Sequence, residues 1–101
     1  MKQYTPQRIQ ETTAAVLGLD LKRLRNMRAP KHWDHVEGYS RGSLIVQALV
    51  SSLCSHLTAG QQANALRRST DSLLTARKRI DADVKEDADL RADVVSILRS
   101  L

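Results

Sequence analysis

"TTAAVLGLDLKRLRNMRA", Thr12 to Ala29, changes character at Gly18. Before the glycine it is a small-residue amphipathic segment. After it, four of the seven residues from Lys22 to Arg28 are basic. The spacings on either side of the glycine are linked. Ala14 is small and lies four residues before Gly18, as a crossing point for a second helix requires, and Gly18 supplies the positive φ of a tight turn. Leu19 follows the turn and points inward, Asp20 caps the next helix, and Leu21, Leu24 and Met27 recur at helical spacing as its anchors. The stretch reads as a helix-turn-helix. The bland alternative is an ordinary helical hairpin whose basic face is merely solvated, and the cation density of the second helix favours DNA binding over it.

Working outward, Thr5-Pro6 is an N-cap followed by proline at the first helical position, and Ile9, Thr13, Val16 and Leu17 carry an inward stripe to the glycine. The first helix is expected over 6–17. The second, starting at Asp20, should end near Ala29, because Pro30 disfavours helix at the residue before it. "PKHWDHVEGYSR", Pro30 to Arg41, loses helical periodicity and gains Pro, Gly and two aromatics, which suits a hairpin or wing-like loop. Ser40 or Ser43 then caps a third helix with a broad apolar face of Leu44, Ile45, Ala48, Leu49, Leu53 and Leu57, the expected centre of the core. Thr58 caps a fourth, with Ala59, Gln62, Ala63 and Leu66 inward, and "RRST" at Arg67 to Thr70 marks its end or a bend.

Composition agrees with one small helical fold. The chain has 101 residues, only three aromatics (Tyr4, Trp33, Tyr39) and no phenylalanine, so its core must be aliphatic. A base-stacking RNA platform is poorly served by that inventory. The formal charge is +5 and the isoelectric point near 9.9, which points to an anionic partner. Gly42 to Leu66 contains no Asp, Glu, Lys or Arg, but Gln47, His56, Gln61, Gln62 and Asn64 make it too polar to span a bilayer. The opening "MKQYTPQRIQ" has no apolar stretch of the secretory kind, and the one cysteine, Cys54, sits in an apolar run as a small buried hydrophobe. A cytoplasmic, nucleoid-associated protein is expected.

Asp71 to Leu101 is different in texture, with seven acids and six bases. Its apolar residues form a thin stripe of Leu73, Leu74, Ala76, Ile80 and Val84, then a separate one of Leu90, Val94, Ile97, Leu98 and Leu101. The acid-rich "DADVKEDAD" between them is either a helix break or a solvated helical surface. A thin stripe on an extended helix is better buried against another subunit than left in water. The expected organisation is therefore an all-α protein with a helix-turn-helix domain over 1–70, carrying a wing-like loop, and a helical oligomerisation segment over 71–101 that makes a homodimer.

"YTPQRIQETTAAVLGLDLKRLRNMR", a loop, and "GYSRGSL" leading into a long helix and a further helix resemble the layout of MerR-like winged-helix regulators and the related small phage excisionases and activators. The resemblance covers about residues 4 to 66. It implies that a helix-turn-helix is followed by a wing and that a tyrosine-containing junction ends the wing and opens the next helix. Residues 30–41 depart from the pattern by carrying His and Asp where such proteins often carry arginine. Phage activators of the lambda cII kind, also short and helix-turn-helix based, are a competing resemblance within the same functional class. The resemblance implies DNA-binding roles for Lys22, Arg23, Arg25, Asn26 and Arg28 on the outer faces of the second helix. Arginine reads guanine bidentately and asparagine reads adenine, so Arg23 and Asn26 are the base-reading candidates, while Lys22, Lys31 and Arg41 suit phosphate.

Other chemistries are weakly represented. His32, His35, Cys54 and His56 have spacings that belong to no strong zinc pattern, so no metal is expected. There is no paired-carboxylate, Cys-His or glycine-rich phosphate loop with supporting context, so neither an enzyme nor a cofactor is expected. Trp33 reads as a packing residue that seats the wing. The functional expectation is a sequence-specific double-stranded DNA-binding transcription regulator of bacterial or phage type, reading DNA with helix 20–29, with RNA polymerase or another regulator as a candidate protein partner. The rival class is a helical protein-interaction module, an antirepressor or adaptor, whose basic helix docks on an acidic protein surface.

Overall fold

Most of the described helices begin where a side-chain cap satisfies one of their first backbone N–H groups. A computed structural model describes residues 4–25 and 38–101. These form six helices and no strand, so the fold is all-α: α1 Pro6–Leu17, α2 Leu21–Arg25, α3 Tyr39–Leu53, α4 Ala59–Leu66, α5 Thr70–Asp83 and α6 Ala88–Ser100. Thr5 caps α1, its hydroxyl accepting the Arg8 N–H at 3.1 Å, with Pro6 at the position where a missing N–H costs nothing. Thr58 and Gln61 form a reciprocal capping box at α4, at 2.9 and 3.1 Å. Ser69 caps α5 and Asp87 caps α6, through the N–H groups of Ser72 and Leu90.

The third helix starts earlier than its serines suggest. Gly38 is its N-cap in a left-handed conformation with φ 77°, and its carbonyl accepts the Gly42 N–H at 2.8 Å. Ser40 and Ser43 thus lie inside α3, and Arg41, expected at the exit of a loop, belongs to its first turn. The helix also ends sooner, at Leu53, so Leu57 sits in the following turn. The Gln62 side chain holds the turn after α3 from the next helix. Its amide donates to the carbonyls of Cys54 at 2.9 Å and Leu57 at 3.5 Å, bracing the turn that follows α3, in which the Cys54 carbonyl also accepts the Leu57 N–H at 3.0 Å. Ala59, expected inward, is exposed at the start of α4.

α3 is the central element, packed against α1, α2, α4 and α5, while α6 lies on α1. Ile45, Val46, Ala48, Leu49 and Val50 are buried along it, and Ile9 and Ala14 of α1 meet them. A polar ladder crosses the same core. The Gln47 amide donates to the hydroxyl of Ser43 at 3.2 Å, and its oxygen accepts the Ser72 hydroxyl at 2.5 Å, tying α5 to α3.

Residues 71–101 return to this core. Leu73, Ala76 and Ile80 of α5, Leu90 and Ile97 of α6, and the terminal Leu101 are all buried within the one chain. The break in "DADVKEDAD" permits it. Between α5 and α6 the Asp87 N–H bonds the Asp83 carbonyl at 2.8 Å, and Arg91 donates to the carbonyls of Val84 at 2.9 Å and Lys85 at 3.2 Å. A single long helix could present its stripe only to another subunit, whereas two shorter helices turn both stripes onto α3 and α1. The exposure argument for a dimer therefore does not apply to these residues. Leu74, Val95 and Leu98 stay outside, 49%, 38% and 43% exposed.

Candidate nucleic-acid interface

The turn between α1 and α2 is built from backbone geometry first. Gly18 adopts φ 68° and ψ 34°, and the Leu19 N–H reaches back to the Ala14 carbonyl at 2.8 Å, closing α1 in a left-handed cap. Asp20 then starts α2, its carboxylate accepting the Arg23 N–H at 3.1 Å and its carbonyl the Leu24 N–H at 3.0 Å. The N–H of Asp20 itself points the other way and donates to the Tyr39 hydroxyl at 2.9 Å. Tyr39 is 1% exposed, so this bond fastens the turn to the start of α3 from inside.

Packing completes the seat. A Cβ on Gly42 would lie 2.8 Å from the Leu19 Cδ1, 3.4 Å from that of Leu24 and 3.6 Å from that of Leu17. A larger residue there would require the Leu19 side chain to shift, so the glycine lets the turn and α2 sit close on α3. Leu24 is consequently 6% exposed, and Leu21 is half-buried. With those residues inward, Lys22, Arg23 and Arg25 are exposed. Asn26, Arg28 and Lys31, the other expected DNA contacts on this side, lie outside the described residues, as do Met27, Trp33, His32, His35 and the wing-like segment up to residue 37.

Arg41, in the first turn of α3, lies beside acidic side chains of the chain itself. Its guanidinium stands 3.6 Å from the carboxylates of both Asp87, the N-cap of α6, and Asp93 within that helix. Those carboxylates offset part of its positive charge. The open depression of about 460 Å³ at the α5–α6 junction, lined by Asp83, Glu86, Asp87 and Asp89, is acidic and has the wrong sign for a nucleic-acid backbone.

Three contributors escape a reading of the sequence. Tyr39 and Gly42 are the support of α2, and the visible trace was the run "GYSRGSL", with its two glycines four apart on what becomes one helical turn. Arg68, just past the end of α4, lines the same notch as Arg25; in the sequence it reads as part of a helix terminus. Burial lowers its pKa from the ordinary arginine value, although a guanidinium stays charged at neutral pH. Among the described residues no group of three or more His, Cys, Asp or Glu could hold a metal ion, and none of their helices is long and apolar enough to cross a membrane. No known protein-family model matches this chain, and no curated protein matches it.

Proposed function

We propose that this chain is a double-stranded DNA-binding transcription regulator, of the helix-turn-helix kind that its sequence resembles, in which α2 enters the major groove. The observation that carries the reading is the posture of α2: a short helix fixed from behind by Gly18, Tyr39 and Gly42, with Lys22, Arg23 and Arg25 on its exposed side. A merely solvated basic helix has no need of such rigid seating. Base reading does, since bidentate hydrogen bonds to a base edge tolerate little positional freedom. Arg23 is the described candidate for base contact, with Asn26 beside it in sequence, and Lys22 suits phosphate. Two copies paired through the outer faces of α5 and α6, where Leu74, Val95 and Leu98 are exposed, would read two half-sites about 34 Å apart.

Selection of bound duplexes from a random pool, followed by titration at several salt concentrations, tests the reading. A favoured sequence with salt-dependent affinity is expected. Arg23→Ala should lower the ratio of specific to random binding about 5- to 150-fold, since a bidentate base contact is worth roughly 1–3 kcal/mol of discrimination. Salt-dependent binding without any preferred sequence would reduce α2 to a nonspecific cationic face. No binding to duplex at 50 mM salt would turn the assignment to a protein-docking module.

A further inference from the structure

The end of α4 brings a cation to α2 from a distant part of the chain. Arg25 and Arg68 line one narrow notch, walled also by Gln10 of α1 and by Ser43 and Gln47 of α3. Its volume is about 10 Å³, room for a single water-sized group. No carboxylate is among the described residues that line it. Gln10 and Gln47 are 8% and 7% exposed, so the floor of the notch is polar but withdrawn from solvent.

Two guanidinium-bearing side chains on one notch, with no carboxylate among the described residues that line it, favour an anion there over water. Arg68 is already engaged within the chain, but a guanidinium carries five N–H donors and can hold an internal partner and an anion together. The size of the notch narrows the class of anion. One phosphoryl oxygen fits; a nucleobase or a whole nucleotide does not. A backbone phosphate presents a single oxygen outward while the rest of the strand stays on the surface.

We propose that this notch holds one phosphate of duplex DNA, shared by Arg25 and Arg68, and so sets the register of α2 on the duplex. The proposal rests on the DNA-binding reading above. It adds a contact from outside the helix-turn-helix, made by a residue that the chain places after α4.

The test is the slope of log affinity against log salt on a random-sequence duplex, measured for the full-length protein and its Arg68→Gln, Arg68→Lys, Arg25→Gln and doubly substituted Arg25→Gln/Arg68→Gln variants, each with a circular-dichroism melt. Loss of one phosphate contact should reduce the slope by about one and weaken binding alike on every sequence. Arg68→Gln and Arg25→Gln should each do so, Arg68→Lys should keep most of the slope, and the double variant should lose no more than the larger single loss. An unchanged slope in a folded Arg68→Gln protein, or additive losses in the double variant, overturns the shared contact while leaving DNA binding intact. If Arg68→Gln does not fold, a sequence-dependent effect of Arg25→Gln overturns it equally. Wild-type protein that binds no duplex at all fails the earlier reading and this one with it. Inorganic phosphate at millimolar concentration forms a separate arm. A wild-type melt raised by phosphate but not in Arg68→Gln, with unchanged duplex slopes, assigns the notch to a free anion and overturns the DNA contact.

Discussion

The Tyr39 hydroxyl accepts the backbone N–H of Asp20 at 2.9 Å, joining the residue that opens α3 to the residue that opens α2. The bond joins residues nineteen apart in sequence and helps to set where α2 begins. Removing the hydroxyl leaves a partly buried N–H without this acceptor. Tyr39→Phe should cost about 1 kcal/mol in urea denaturation with the fold retained. A change below about 0.3 kcal/mol would mean that water replaces the hydroxyl at no loss and that the seat of α2 rests on Gly42 alone.

Gly18 isolates the effect of backbone conformation. Nothing lies within 4 Å of a Cβ built there, so a side chain meets open space and the cost of substitution comes from φ 68° alone. Gly18→Asn should be mild, since asparagine tolerates the left-handed region, whereas Gly18→Val should destabilise by about 2 kcal/mol or more. Equal melting temperatures for the two variants would contradict the turn.

Thr13 is fully buried on α1, and its hydroxyl has no hydrogen-bond partner. Valine has nearly the same shape without the unsatisfied group. Thr13→Val is expected to raise stability by up to about 1 kcal/mol, seen as a higher melting temperature, while Thr13→Ala should lower it by opening a void. A loss of stability in Thr13→Val would show that the hydroxyl is satisfied in solution.

Cys54 is fully buried at the end of α3, and burial raises its thiol pKa. The unfolded chain then releases the thiol proton at lower pH than the native chain, so the unfolded state binds fewer protons and stability falls as pH rises. The contribution is complete below the ordinary thiol value of about 8.5 and is lost as pH climbs toward the raised native value. Urea midpoints followed from pH 7 to 10 should fall less steeply in Cys54→Ala than in wild type. A thiol reagent at pH 7.5 should react with native protein only at the rate of unfolding; immediate reaction would place the sulfur at the surface.

The C-terminal helices are part of the core, so a chain ending at Thr70 should lose its cooperative melt. It would lack Leu73, Ala76, Ile80, Leu90, Ile97 and Leu101, every one of them buried. Circular dichroism on heating checks this, and a sharp transition in the shortened chain would show that residues 1–70 form a domain of their own. Light scattering of the full-length protein at micromolar concentration reports the assembly. If it is a dimer, Leu98→Asp should yield monomers, because that residue is 43% exposed on α6 and outside the core.

What the sequence determined by itself was local: the Thr5-Pro6 start of α1, the left-handed turn at Gly18, the Asp20 and Thr58 caps, and the end of α4 at Arg67. Each depends on a hydrogen bond or a φ value within a few residues, and except at Arg67, an arginine in the left-handed region with φ 55°, the residue types state those requirements directly. The exposure of Lys22, Arg23 and Arg25 was equally legible, since it follows from the inward positions of Leu21 and Leu24. Tertiary structure alone decided the rest. Whether the stripes of α5 and α6 face another subunit or their own chain depends on the direction of the chain after Val84, and a hydrophobic stripe does not encode its partner. The anchoring of Asp20 by Tyr39, the use of Gly42 as the floor under α2, the capture of Arg41 by Asp87 and Asp93, and the placing of Arg68 beside Arg25 all join residues far apart in sequence. Hydrophobic burial is non-directional, so the pattern selects which residues are inside, and only the packing of α3 against α1, α2, α4 and α5 selects which of them meet.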